Sequence, residues 1–230
     1  LIPLPTNVAM PNRRRSVLLG SAAAMLAAVA MLGPVAAVAQ TAAEFFKAVE
    51  LDDERTLRRL LERGFDPNTV NDAGQPGLVL AMRDDCPKVA AVLLAHPAIE
   101  PDKANAHNET ALMMAALRGR TEWVERLLAR GAKLAREGWT PLHYAASGSE
   151  PALLKLLLAR GAPIDAPSPN RTTPLMMAAG YGAIDGVDVL LAAGANRTLR
   201  NDAGLDVVDF ARRAGRDRLV ERLQATAAPR

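Results

Sequence analysis

Residues Thr140–Ala162 read TPLHYAASGSEPALLKLLLARGA. The stretch holds His143, one of three histidines in the chain, flanked by Thr140, Tyr144, Ser147 and Ser149. A base beside hydroxyls raises the question of nucleophilic catalysis. The wording of the rest points elsewhere. Pro141 stands where the first turn of a helix has no use for its own N–H. The small pair Ala145-Ala146 follows, then a leucine-rich run, then Gly161-Ala162. This is the outline of two short helices and a glycine stop.

The same outline recurs. Thr110–Ala132 reads TALMMAALRGRTEWVERLLARGA and Thr173–Ala195 reads TPLMMAAGYGAIDGVDVLLAAGA. Alanine returns five residues after each start, leucines at seventeen and eighteen, and Gly-Ala at twenty-one and twenty-two. Weaker copies begin at Ala43, Pro76 and Asp206. The six starts, 43, 76, 110, 140, 173 and 206, are spaced 33, 34, 30, 33 and 33 residues. A fixed period of this size marks a stack of small units, because no single helix pair can bury its apolar face alone.

The repeated T-P-L-H-x-A signature, intact at Thr140, Pro141, Leu142, His143 and Ala145, makes the chain resemble the ankyrin-repeat family. The resemblance covers nearly all of residues 41–228. It implies an all-α repeat solenoid of stacked helix-turn-helix units, joined by short β-hairpin-like turns. The units are 43–75, 76–109, 110–139, 140–172, 173–205 and 206–228. Met113, Met176, Val79 and Asp209 stand in the histidine's place elsewhere. The resemblance also implies a hydrogen bond between Thr140 and His143 that steadies the turn entering the helix, which gives His143 a structural task.

Local chemistry agrees with this architecture. A second helix is predicted over Glu122–Arg130, with Trp123, Leu127 and Leu128 on one face. Gly131, Gly161 and Gly194 fit left-handed helix caps. Gly74, Gly138 and Gly204 lie two residues before a repeat start, where Asn108 and Arg171 replace glycine. The short repeat loses its residues between Gly131 and Thr140, so the turn bearing Arg136, Glu137 and Trp139 is predicted to be a shortened finger. The end units are expected to act as caps; the last carries Arg212, Arg213, Arg216, Arg218 and Arg222 on a solvated face.

Ahead of the repeats lies NRRRSVLLGSAAAMLAAVAMLGPVAAVAQ. A basic segment, an apolar run from Val17 to Leu32, the breaker Gly33-Pro34 and Ala37-Val38-Ala39 before Gln40 form a secretory signal with an A-x-A cut. Residues 1–39 are thus predicted to be a leader starting at Met10, with a mature domain over 40–228. Arg14-Arg15-Ser16-Val17-Leu18 also fits a twin-arginine signal. Uncut, the uncharged run Val17 to Ala39 is long enough for a membrane anchor, for which about 20 residues suffice. The expected location is the bacterial periplasm, either free or anchored in the inner membrane.

The charge balance excludes one class of function. The chain has 28 Lys+Arg against 25 Asp+Glu, and Arg13, Arg14 and Arg15 account for the whole excess. No nucleic-acid partner is expected from a neutral repeat domain. Cys86 is the only cysteine, so no internal disulfide can form. His96, His107 and His143 show no metal-ligand spacing, and no phosphate loop or nucleophile elbow occurs. Neither metal, cofactor nor enzymatic activity is expected.

Function then falls to the surface. The family resemblance implies binding of another protein on the concave face, through turn tips and first helices, by a monomer or a partner-bound chain. Matching those slots selects Arg83 and Asp84, His107, Glu109 and Arg118. It further selects Arg136, Glu137, Trp139 and Ser147, then Asn170 and Tyr181. Trp139 is either an anchor for a partner or a ring folded onto its own turn. The expected function is a non-catalytic periplasmic scaffold; the alternatives are an inhibitor or protective factor of an exported enzyme, or an enzyme on a repeat scaffold.

Overall fold

The computed structural model describes residues 34–225. It contains six helix pairs, and among the described residues the only β pairing is an isolated bridge between Val70 and Pro76. The pairs are α1 (Pro34–Glu50) with α2 (Glu54–Glu62), α3 (Gly77–Asp84) with α4 (Pro87–Ala95), and α5 (Ala111–Leu117) with α6 (Thr121–Ala129). They continue as α7 (Pro141–Ala146) with α8 (Pro151–Ala159), α9 (Pro174–Gly180) with α10 (Ile184–Ala192), and α11 (Val207–Arg213) with α12 (Asp217–Ala225). This is the all-α solenoid the period predicts. In α3, α5, α7, α9 and α11 the helix opens one residue after the repeat start.

The chain divides into two compact units, Leu1–Thr41 and Ala42–Arg230. Within the described residues the first unit contributes the beginning of α1. Pro34 is the first residue of α1, the position where its missing N–H costs nothing, and Gly33 lies outside the described residues. The arginines 13–15, the apolar run Val17 to Leu32 and the start at Met10 lie outside the described residues. No helix among the described residues is long and apolar enough to cross a membrane.

In the second unit the recurring positions form one continuous core. The alanines five residues after each start, Ala48, Ala81, Ala115, Ala145, Ala178 and Ala211, are all buried. So are Leu60, Leu93, Leu127, Leu157, Leu190 and Leu223 at offset seventeen. Small side chains let the first helices pack more closely on one another than the second helices do. The first helices therefore form the more tightly packed row. The tightest approach is at Gly182: a Cβ there would sit 1.9 Å from the Ala146 carbonyl oxygen.

Fingers project between the repeats. Asn71, Asn105 and Asn201 each use Oδ1 to accept two main-chain N–H groups of their own turn, at 2.9 to 3.1 Å. Ser168 does the same work with Oγ for Thr172 N. Each of these turns is also closed by main-chain bonds, such as Asn105 N to Glu109 O at 2.9 Å. The finger over residues 131–139 differs. Ala135 occupies the place of the asparagine, and no such main-chain pair closes it. Its turn residue Gly138 has φ +85°; Asn108 and Arg171 adopt the same left-handed backbone at +61°.

Candidate functional site

The histidine that opens the question of catalysis is fully enclosed. His143 Nδ1 accepts the Thr140 N–H at 3.1 Å and lies 2.9 Å from Thr140 Oγ1. The proton therefore sits on Nε2, which donates to the Thr172 carbonyl at 3.0 Å. One ring thus ties the start of its own helix to the start of the next repeat. Burial lowers its pKa to about 4, so the ring is neutral at pH 7. Ser147 Oγ donates to the carbonyls of His143 and Tyr144, both at 3.1 Å. With both ring nitrogens engaged and the serine turned to main chain, this set holds structure and has no free base.

The other motif-bearing residues are similarly employed. Cys86 is a buried residue at the start of α4, and burial pushes its thiol pKa up. His96 accepts the Ala98 N–H through Nδ1, and His107 is exposed at a finger tip. Among the described residues no group of three or more His, Cys, Asp or Glu could hold a metal ion.

The surface residues selected from sequence divide into two sets. Many are cross-braces between neighbouring repeats. Glu109 accepts the Tyr144 hydroxyl at 2.8 Å with one oxygen and Asn105 Nδ2 at 2.8 Å with the other; burial followed by this carboxylate pushes the Tyr144 pKa up. Arg83 and Asp84 form a two-point ion pair at 2.9 Å, and Arg118 reaches the Arg83 carbonyl. Arg136 turns back to the preceding finger, donating to Asn108 Oδ1 and to the Asp102 carbonyl. Asn108 Nδ2 returns the link to the Glu137 carbonyl at 3.4 Å.

The second set lines open space. Trp139 is half-buried: its ring meets the His143 ring edge-on, centroids 5.2 Å apart, and its outer face lines a groove. The ring thus packs on the helix that follows its turn and keeps its other side toward the groove. Asn170 and Tyr181, the latter 66 % exposed, line the same groove of about 600 Å³. Met177 from α9 and Phe210 and Arg213 from α11 complete it. A smaller bay of about 200 Å³ adjoins it across Trp139 and Met177, with Leu117, His143, Tyr144 and Ser147 as its other walls.

Sequence reasoning missed Leu117, Met177, Phe210 and, as a groove residue, Arg213. A signal existed. Tyr144, Met177 and Phe210 each stand four residues after a repeat start, and Leu117, Ser147, Gly180 and Arg213 stand seven after. Offsets three apart share a helix face, so one periodic stripe carries the helical part of the wall. Trp123 and Phe45 belong to the core, with the Arg126 guanidinium 4.1 Å over the Trp123 ring.

The chain has recognisable relatives. A family model described as "Ankyrin repeats (3 copies)" matches residues 45–137 and 132–201, more than half of the sequence. Ankyrin repeat and KH domain-containing protein 1 of Homo sapiens is 38% identical over 103 residues, which is 43% of this chain and 4% of that protein. B-cell lymphoma 3 protein homolog of Mus musculus is 29% identical over 152 residues, 63% of this chain and 34% of that protein. Nuclear factor NF-kappa-B p105 subunit of Gallus gallus is 30% identical over 161 residues, 67% of this chain and 16% of that protein. The match spans no more than about a third of the length of any of these three proteins.

Proposed function

This chain belongs to the ankyrin-repeat family, and we propose that it is a non-catalytic scaffold, exported from a bacterial cytoplasm, that holds another protein against its first-helix face. The observation that carries the reading is the groove beneath Trp139, Tyr181 and Phe210. Large rings lying open to water gain most when a partner covers them, and Trp and Tyr are favoured anchors in interfaces. The His143, Glu109 and Arg136 braces beside it keep that face rigid, which lowers the ordering cost of binding. Export rests on the arginines before the apolar run and on the A-x-A before Gln40.

Two measurements test these parts separately. A photo-crosslinking residue in place of Tyr181 is expected to capture a discrete partner in the native host, while one in place of exposed Lys155 on α8 captures none. Equal labelling from both positions overturns the groove as the binding face. The mass of the protein recovered from the periplasm is expected to begin at Gln40. Recovery of the chain solely from the cytoplasm overturns export and leaves the binding face untouched.

A further inference from the structure

The groove's polar groups have a consistent bias, and we infer from it that the occupant is an extended segment of another protein carrying a carboxylate next to a bulky apolar side chain. The inference rests on the reading of this face as a binding surface. The groove lining contains one charged residue, Arg213, and no carboxylate. The other arginines around it are engaged: Arg212 with Asp209 at 2.7 Å, Arg200 with Asp206 at 2.7 Å, Arg222 with Asp188 at 2.9 Å. Arg216 donates to the carbonyls of Ala178 and Gly182. Among the described residues no hydrogen bond or ion pair engages the Arg213 guanidinium, and Arg213 is exposed.

The side-chain amide acceptors of the same wall are already used. Asn201 Oδ1 takes the N–H groups of Ala203 and Leu205, and Asn170 Oδ1 takes the Ser168 hydroxyl and the Thr172 N–H. The Thr172 carbonyl is taken by His143. What is left among the lining side chains is the Arg213 guanidinium, the Asn170 amide nitrogen and the Trp139 indole N–H, all donors, with the Tyr181 hydroxyl able to donate or accept. A wall with more spare donors than spare acceptors favours an occupant rich in acceptors, and a guanidinium favours a carboxylate in two-point contact. A cationic segment would instead place like charge beside Arg213. The bay of about 200 Å³ between Leu117, Trp139, Tyr144 and Met177 is walled mainly by apolar groups, and takes the bulky side chain.

The test is selection of short random peptides displayed on phage by the purified full chain, by its Arg213→Glu variant and by its Tyr181→Ala variant. Retained peptides are expected to be enriched in Asp or Glu next to Leu, Phe or Trp. Binding of a retained peptide should weaken by roughly tenfold with Arg213→Glu, as for loss of one well-placed charge pair, and weaken with added salt. The Arg213→Glu selection should turn toward Lys and Arg. Peptides without acidic enrichment, or an enrichment that persists unchanged in Arg213→Glu, overturn the carboxylate inference. If such peptides still depend on Tyr181, the binding face stands without it. A selection that retains no peptide also overturns the inference, and the Tyr181 crosslink then decides the face alone.

Discussion

Two neighbouring fingers of this solenoid do the same job by opposite means. The finger over residues 100–109 closes on itself: Asn105 Oδ1 caps the N–H groups of His107 and Glu109, and Asn105 N bonds the Glu109 carbonyl. The finger over residues 131–139 carries Ala135 at the matching place and makes none of these bonds. Its shape is imposed from both sides. Asp102 accepts Lys133 N at 2.9 Å and Asn108 accepts Arg136 ahead of it, while His143 supports Trp139 from behind. A hairpin can therefore exchange its own closure for its neighbours' hydrogen bonds. One finger closes on itself and also leans on the finger before it, through Glu100 N to Asn68 Oδ1 at 2.8 Å and Asn105 Nδ2 to Gln75 Oε1 at 3.1 Å; the other is only as firm as the repeats that flank it.

The largest expected effect comes from removing the support behind the short finger. His143→Ala deletes buried links to Thr140 and Thr172 and leaves a void, a loss on the order of 3–4 kcal/mol in denaturant unfolding. Trp139 emission, read in a Trp123→Phe background, should shift toward that of a solvated ring even in folded protein. An unchanged Trp139 signal would break the comparison, since the short finger would then hold itself.

Acid does the same by titration. The folded His143 pKa is about 4, against 6.5 for a free imidazole. The unfolded chain then binds a proton that the folded chain refuses. Stability conferred by neutral His143 is complete above pH 6.5, falls as pH drops through the interval from 6.5 to 4, and is lost below it. The loss amounts to about 3 kcal/mol. His143→Gln should be less stable at pH 7 but lack this component of the pH dependence; an identical acid profile in both proteins would assign the effect to other groups.

Next comes Asn105→Ala, which leaves two N–H groups of the self-closed finger without their acceptor and should cost about 2 kcal/mol. Arg136→Ala removes a brace on a partly exposed surface and should cost about 1 kcal/mol, with faster amide exchange confined to residues 131–139. The smallest effect is expected from Ala135→Asn, within about 0.5 kcal/mol. The three missing residues lie between Gly131 and Ala135, ahead of the turn, so the stretch from Ala135 to Trp139 keeps the length of Asn105 to Glu109 but not the main-chain bond that closes it. A gain of a full cap energy there would show that the missing asparagine, rather than the missing length, is what sets the two fingers apart.

The period, the helix starts and the buried Ala and Leu positions were legible from the sequence because each is written several times. The alignment of Thr110, Thr140 and Thr173 fixes the register by redundancy, and α5, α7 and α9 follow it. Asn108 and Arg171 were recognisable as left-handed turn residues by their place in the same register, and both adopt φ +61°. What a single copy encodes was harder to read. Arg136, Glu109 and Arg118 look like free surface charges in sequence; their partners, Asn108, Tyr144 and the Arg83 carbonyl, lie 28 to 35 residues away. Spacing near one repeat is the common element, so a charged side chain in a finger is best matched against the finger before or after it. Arg213 was hidden for the converse reason: it sits in a run of cap arginines, and only the contacts of its neighbours reveal that it is the one facing the groove.

The carbonyl of Ala146, pressed against Gly182, has a consequence for how such a chain can evolve. Units of one period invite duplication and exchange, yet a unit copied from the fifth position carries Gly182 because the fourth presents bare backbone to it at that spot. Placed elsewhere in the row, it would keep its helices and lose the reason for its glycine. In the reverse exchange, a copy of the first or second unit brings Asp52 or Asp85 to the corresponding place, on a left-handed backbone (φ +50° and +60°) that Gly182 does not share. The junction records which unit precedes which, so the order of the repeats is inherited along with their shape.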